Sequence, residues 1–149
     1  MTATVTRAAD RETALRRGDE LWERLRAALD GRLSAPVYGT HDWTGHDVYA
    51  HFGRWQEHTL AQLHRVLAGR PPAPEDGTEA EINERWVAED RSLPVALVRD
   101  RCLRGRQALR DALMALTQEQ WDRFGHLFSP DVDGEHYEQH LQDLLAPAP

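Results

Sequence analysis

The chain has no lysine, a single cysteine and no long apolar run. Each absence removes a class of function. Cys102 has no second cysteine with which to close an internal disulfide, so the fold must stand on its core. Its place beside Leu103 in a helical pattern makes it a packed, inert thiol rather than a nucleophile. No stretch reaches the ~18 consecutive apolar residues of a membrane span, and no charged-then-apolar leader opens the sequence. The expected location is the cytoplasm, with no membrane partner. Positive charge is scarce: 18 basic residues, all arginine, face 25 acidic ones, for a formal net charge of −7. Nucleic-acid affinity rests on clustered cations that neutralise phosphates, so nucleic acid is not an expected partner. Arginine without lysine marks a GC-rich genome rather than a mechanism, and the run Arg99, Arg101, Arg104, Arg106 and Arg110 reads as a solvated helix face. Alternating strand patterns, internal repeats and sustained heptads are missing too, which leaves an all-α class.

What is present suits one globular domain over residues 1–149: 40% hydrophobic and 29% charged residues are near the usual balance. Ala8, Leu15, Leu21, Trp22, Leu25 and Leu29 recur at helical spacing and predict an amphipathic helix over 8–30, stopped by Gly31. Pro36 and Gly39 make 32–42 a loop. Thr44 with Asp47 forms a capping pattern and opens a second helix to Leu67, closed by Gly69 and followed by prolines. Residues 70–78 are a proline-rich loop, and a shorter helix is expected over 79–90. Ser92 as cap and Pro94 in the first turn begin the third long helix, to about Ala115. Thr117 with Gln120 caps a short helical turn through Trp121. Gly125, Pro130 and Gly134 then read as a loop before a last helix over 135–145 that stops at Pro147. Four principal helices with a long crossover between the second and third give a four-helix bundle, in which sites are built from inward side chains of facing helices. The first and third long helices have wide apolar stripes, and a homodimer is the expected state.

The last helix carries the chemistry. His136 and His140 stand four apart in GEHYEQHLQDL and so share one helix face. With 8 histidines in the chain such a pair arises easily by chance, and it gains meaning only from a third ligand. His51 is that candidate: Val48, Phe52, Trp55, Leu63, Val66 and Leu67 form the apolar stripe of the second helix, and His51 falls on its inward side. The competing reading makes it a hydrogen-bonded core histidine. Three protein nitrogens leave an open position, as catalytic metal sites do, whereas structural zinc sites close with four.

The segments WTGHDVYAHFGRW, EINERWVAEDRSLP and GEHYEQHLQDL, in that order, resemble the DinB/YfiT-like superfamily, especially its small bundles related to mycothiol-dependent enzymes and ClbS/DfsB-type proteins. The resemblance runs from about Leu15 to Leu145. Its W-T-x-x-D-V-x-A-H pattern ends at a metal-ligand histidine, here His51, and its H-x-x-x-H falls on His136 and His140. It implies a four-helix bundle with a His triad holding a divalent metal, often in a dimer. Several members are thiol-dependent transferases or isomerases that use mycothiol, bacillithiol or glutathione. The chain carries no extra carboxy-terminal domain like that of some mycothiol enzymes, which points away from a full maleylpyruvate isomerase.

The implied cofactors are a divalent metal and a low-molecular-weight thiol acting on a small-molecule substrate. Zinc is the first choice on availability and geometry, with nickel or iron as alternatives, because neutral imidazoles suit all of them. A metal-bound thiolate makes an S-transferase; a metal-bound hydroxide makes a hydrolase. A bundle that holds metal or small molecules without turnover is the non-catalytic alternative. Metal-bound histidines pass their other N–H to an outer acceptor, and Asp47, one turn before His51, is a candidate, as are Asp133, Glu135 and Glu138. Trp43, Trp55, Trp86 and Tyr137 are candidate pocket walls, His58 a pocket or outer-sphere group, and Asn83 a residue of the mouth on the crossover helix.

Overall fold

A computed structural model describes residues 2–145, with side chains from Asp10 onward, so the side chain of Ala8 and the expected stop at Pro147 lie outside the described residues. Helix α1 spans Thr2–Asp30, and Leu15, Trp22, Leu25 and Leu29 are buried at the predicted spacing. Helix α2 spans Gly45–Leu67 behind a full capping box: Asp47 N–H donates to Thr44 Oγ1 at 3.2 Å, and Thr44 N–H donates to Asp47 Oδ2 at 3.1 Å. Two orphan donors at the helix start are thereby satisfied. Gly69, at φ +78°, turns the chain out of α2.

Residues 70–78 form the expected extended loop, tied to α2 by the Gln62 side chain. Its amide donates to Ala73 O at 2.9 Å and accepts from Ala73 N–H at 2.7 Å. Helix α3, Glu79–Asp90, is capped by Thr78 and packs on α2. Helix α4, Val95–Met114, has Pro94 itself at the N-cap and no side-chain cap bond, so Ser92 does not serve as the predicted cap.

After the Thr117–Gln120 capping box the chain does not become a loop. Short helix α5 (Gln118–Gln120) runs into a π-helical turn at Trp121–Gly125, then α6 (His126–Phe128), α7 (Pro130–Asp133) and α8 (Glu135–Gln142). The apparent breakers have other uses. A Cβ on Gly125 would lie 2.4 Å from the Trp121 ring, so glycine permits that contact. Pro130 occupies the first turn of α7, where its missing N–H costs nothing. Only Gly134, at φ +100°, breaks the helical path. Helix α8 ends at Gln142, short of Leu145, because Leu144 pairs with Tyr38 and Leu145 N–H donates to Val37 O at 2.9 Å.

The architecture is all-α: α2 packs along α4, while α1 packs on α7, α8 and α2. One core cluster joins Trp22, Leu25, Leu29, Val48, Tyr49, Phe52, Val98 and Tyr137 beneath α8; a second joins Leu15, Leu63, Leu109, Leu113 and Val132. At about 1.5–3 kcal/mol for each fully buried large side chain, these clusters are the main favourable contribution to the bundle. Arg106 corrects the solvated-face reading of its run. It is buried, donating from Nε to the Tyr137 hydroxyl at 2.9 Å and from a terminal nitrogen to Asp19 at 2.9 Å. No described helix is long and apolar enough to cross a membrane.

Candidate metal centre

The capping box starts α2 so that Val48 and Phe52 point into the core, and His51 between them is carried inward, 3% exposed. Helix α8 brings His136 and His140 to the same point, held by buried Tyr137 on the adjoining face. His136 Nε2 lies 3.3 Å from His51 Nε2 and 3.1 Å from His140 Nε2. The three ligand atoms lie within 4.8 Å of one another. Tetrahedral ligands at the usual Zn–N distance of about 2.0–2.1 Å stand roughly 3.3–3.4 Å apart, which is close to the two separations from His136.

The outer nitrogens decide whether those atoms offer lone pairs. Asp131 Oδ1 accepts from His136 Nδ1 at 2.5 Å, which in the neutral ring holds the proton on Nδ1 and leaves Nε2 as the lone-pair nitrogen. Asp131 is itself buried, with Thr59 Oγ1 donating to its other oxygen at 3.5 Å and the Tyr137 hydroxyl donating to its backbone carbonyl. His140 Nδ1 faces the Tyr38 oxygen in a short hydrogen bond, and donates to it in the tautomer that leaves Nε2 bare. His51 Nδ1 has no hydrogen-bond partner among the described residues; its ring is held by packing against Trp43 and Phe52, with centroids at 5.0 and 5.2 Å. Phe52 also lies 4.6 Å from the His136 ring and 4.8 Å from that of His140, forming an apolar floor.

Electrostatics favours neutral rings. Burial, followed by the neighbouring His140, His136 and His41, pushes His51 well below the ordinary 6.5. Burial, then His136 and His41, pushes His140 down to about 3. Two neutral imidazoles in a buried cluster are ready ligands, and the donor set fits a divalent transition metal.

A cavity of about 250 Å³ opens beside the triad, lined by Tyr38, His41, Trp43, Glu79, Asn83, Gln139 and Asp143 with the three histidines. Asn83 and Trp43 therefore stand where a pocket residue should. Trp55 lines the adjoining hollow and donates from Nε1 to Asn83 Oδ1 at 2.6 Å. Other expected neighbours are elsewhere. The Asp47 carboxylate is taken by Thr44 N–H and Arg91 Nε, the latter at 3.4 Å, and it makes no bond to a triad histidine. His58 pairs with Glu75 at 2.9 Å and packs on Trp55 and Trp86, with no contact to the triad. Tyr137 is fully buried core rather than wall. Tyr38, His41, Asp131 and Gln139 were not singled out in the sequence. Asp131 lies across the Gly134 break from His136, and Tyr38 reaches His140 only through the pairing with Leu144, so helical spacing signals neither.

Asp131 gives a direct test. Asp131→Ala is expected to weaken metal binding by about 10–100-fold, the usual cost of losing an outer carboxylate on a ligating histidine. Competition titration against a chelator measures it; unchanged affinity would mean that the carboxylate does not orient His136.

No curated protein and no solved structure shows significant similarity to the chain. A family profile does: that of the mycothiol maleylpyruvate isomerase N-terminal domain matches residues 6–146, nearly the whole sequence. With its all-α fold and its converging histidines, the chain belongs to the mycothiol maleylpyruvate isomerase N-terminal domain family and is a DinB-like, mycothiol-related protein.

Proposed function

We propose that His51, His136 and His140 hold one divalent metal, zinc first and nickel or iron next, and that the protein is a thiol S-transferase of the mycothiol or bacillithiol kind or a closely related detoxifying enzyme. The observation that carries this reading is the meeting of three Nε2 atoms, with one ring hydrogen-bonded through its other nitrogen to a buried carboxylate, at the wall of a cavity. A divalent metal in that position supplies a Lewis acid that stabilises a thiolate near neutral pH. The chain's own residues do the rest. Asp131 and Tyr38 fix ring orientation, Phe52 keeps water from the buried side, and Trp43 and Asn83 border the space where the thiol sulfur would sit.

The experiment is elemental analysis of protein purified without an affinity tag, then assays of the loaded protein with mycothiol or bacillithiol and a panel of charged and uncharged electrophiles. Thiol adducts or thiol-dependent isomerisation support the reading. Saturable binding without product would favour a non-catalytic bundle, and thiol-independent cleavage of esters or amides would favour a hydrolase.

Acid should release the metal, but later than for exposed imidazoles. The folded pKa values of His51 and His140 lie below the unfolded value of about 6.5, so the stability gained from their neutral forms is complete above that pH. It is lost as pH falls below it, for His140 through about 3. Metal occupancy is therefore expected to persist at pH 6.5 and to fall, together with fold stability, at lower pH. Loss of metal centred on pH 6.5, followed by dialysis and elemental analysis, would contradict this.

We further propose a homodimer, supported by Leu97 and Met114 of α4, which stay 51% and 43% exposed. Light scattering is expected to give about twice the chain mass of 17.0 kDa; a clean single-chain mass at micromolar concentration would contradict it.

A further inference from the structure

The triad cavity has a neighbour. A second hollow of about 430 Å³ lies against the other side of His136 and shares Glu79, His136 and Gln139 with the first. Its apolar walls are Trp55, Leu127 and Pro130, and Asp131 and Glu135 complete the lining. Trp55 is held by the bond from its Nε1 to Asn83 and by edge packing on Trp86 at 4.9 Å, so it presents a fixed aromatic face. Leu127 is 61% exposed, an apolar side chain left open to solvent at the edge of the hollow.

Charge around the two hollows is one-sided. The chain has 18 arginines, yet none among the described residues lines either hollow. Those on the flanking helices are committed elsewhere: Arg54 to Asp90 and Glu89, Arg85 to Asp76, Arg91 to Asp47. The rim instead carries Glu79, Glu135 and Asp143, which are exposed. A divalent ion held by three neutral imidazoles would have its charge offset by a bound thiolate and by the nearby Asp131 carboxylate. An incoming carboxylate would then meet the acidic rim with no side-chain cation to pair with, whereas a neutral ring would cover Trp55 and Leu127.

We infer that the hollow lined by Trp55, Leu127 and Pro130 is the electrophile subsite, and that it takes uncharged aromatic or alkyl electrophiles and turns away anionic ones. The reaction rests on the thiol-transfer reading above; the ligand preference is a binding property that can be measured apart from it. For an aryl chloride, the sulfur attacks the ring carbon bearing chlorine, the C–S bond forms and the C–Cl bond breaks. Chloride leaves, and the thiol proton passes to buffer.

The test uses a matched pair, 4-chloro-3-nitrobenzamide and 4-chloro-3-nitrobenzoate, with mycothiol and the full metal-loaded chain. Each kcat/KM is divided by the uncatalysed rate with the same thiol. The amide is expected to be favoured about tenfold or more, mainly in KM, since like-charge contact is the only designed difference. Leu127→Arg, at an exposed position, should cut that preference several-fold by supplying a cation. In parallel, 3-nitrobenzamide and 3-nitrobenzoate, which have no leaving group, are titrated with mycothiol present while the Trp55 indole N–H signal is followed by NMR. Turnover without a charge preference would overturn the inference and leave the transferase reading intact. No turnover, with 3-nitrobenzamide still binding about tenfold tighter at Trp55, would sink the transferase reading and keep the subsite. Equal or tighter binding of the benzoate, or no response at Trp55, would end the inference whatever the turnover.

Discussion

Replacing His136 with alanine is expected to remove stoichiometric metal from the protein while leaving its helix content unchanged. His136 is the middle ligand: its Nε2 lies within 3.3 Å of both other nitrogens, and its Nδ1 is the one anchored to a buried carboxylate. Two imidazoles from α2 and α8 remain, without the Asp131 link, and the loss should exceed the roughly 10–100-fold cost of an outer-sphere change. Helix α8 stays because Tyr137 is fully buried on Trp22 and Phe52, and Leu141 packs against the same cluster. Metal should also stabilise the wild-type fold, since its ligands come from distant parts of the chain. At a hundredfold excess of free metal over Kd the gain is about 2.7 kcal/mol, which chelation should remove as a lower melting temperature. The His136→Ala protein should melt at one temperature with or without chelator. Stoichiometric metal in that variant, or in the triple His51, His136, His140→Ala protein, would place the site elsewhere.

How much of this was legible in the sequence depends on how far each signal reaches along the chain. The α2 cap is local, since Thr44 and Asp47 are three apart and need only each other. The inward turn of His51 follows from the same helix, because Val48 and Phe52 fix the buried face. The i, i+4 relation of His136 and His140 is likewise internal to one helix. Spacing does not report contacts between elements. Asp131 looked like loop because Pro130 and Gly134 flank it, yet Pro130 starts a helix and Gly134 folds that helix back so that its carboxylate meets His136. Arg106 sits in a run of arginines and reads as solvated, but its turn of α4 faces Tyr137 and Asp19. Asp47 offered an acidic group at one helical turn from His51, and the capping box together with Arg91 had the stronger claim on it.

Gly18→Ala should be the most damaging small substitution in the bundle, although the same change on an exposed helix face would stabilise. Alanine is favoured over glycine in a helix interior by about 1 kcal/mol. At position 18 a Cβ would lie 1.8 Å from the Val132 carbonyl oxygen, 2.6 Å from its carbon and 2.8 Å from the Asp133 carbonyl carbon. All three are backbone atoms and cannot rotate aside, so α1 and α7 must separate. Gly134 makes the approach from the other side: a Cβ there would meet Leu21 at 2.6 Å and the Cα of Gly18 at 3.3 Å. Overpacking in cores costs about 1–3 kcal/mol and occasionally more, and with rigid backbone on one side the upper end applies, so a net loss of about 2 kcal/mol is expected. The separation would also move Asp131, one residue before Val132, away from His136. Metal affinity should fall along with stability, although Gly18 touches no histidine. Gly31→Ala is the control, because its Cβ would meet only ordinary contacts at 3.6 Å. Denaturant unfolding of both variants, with a metal titration of each, decides the matter: a Gly18→Ala protein as stable as wild type, with unchanged metal affinity, would mean that the α1–α7 contact does not set the position of Asp131.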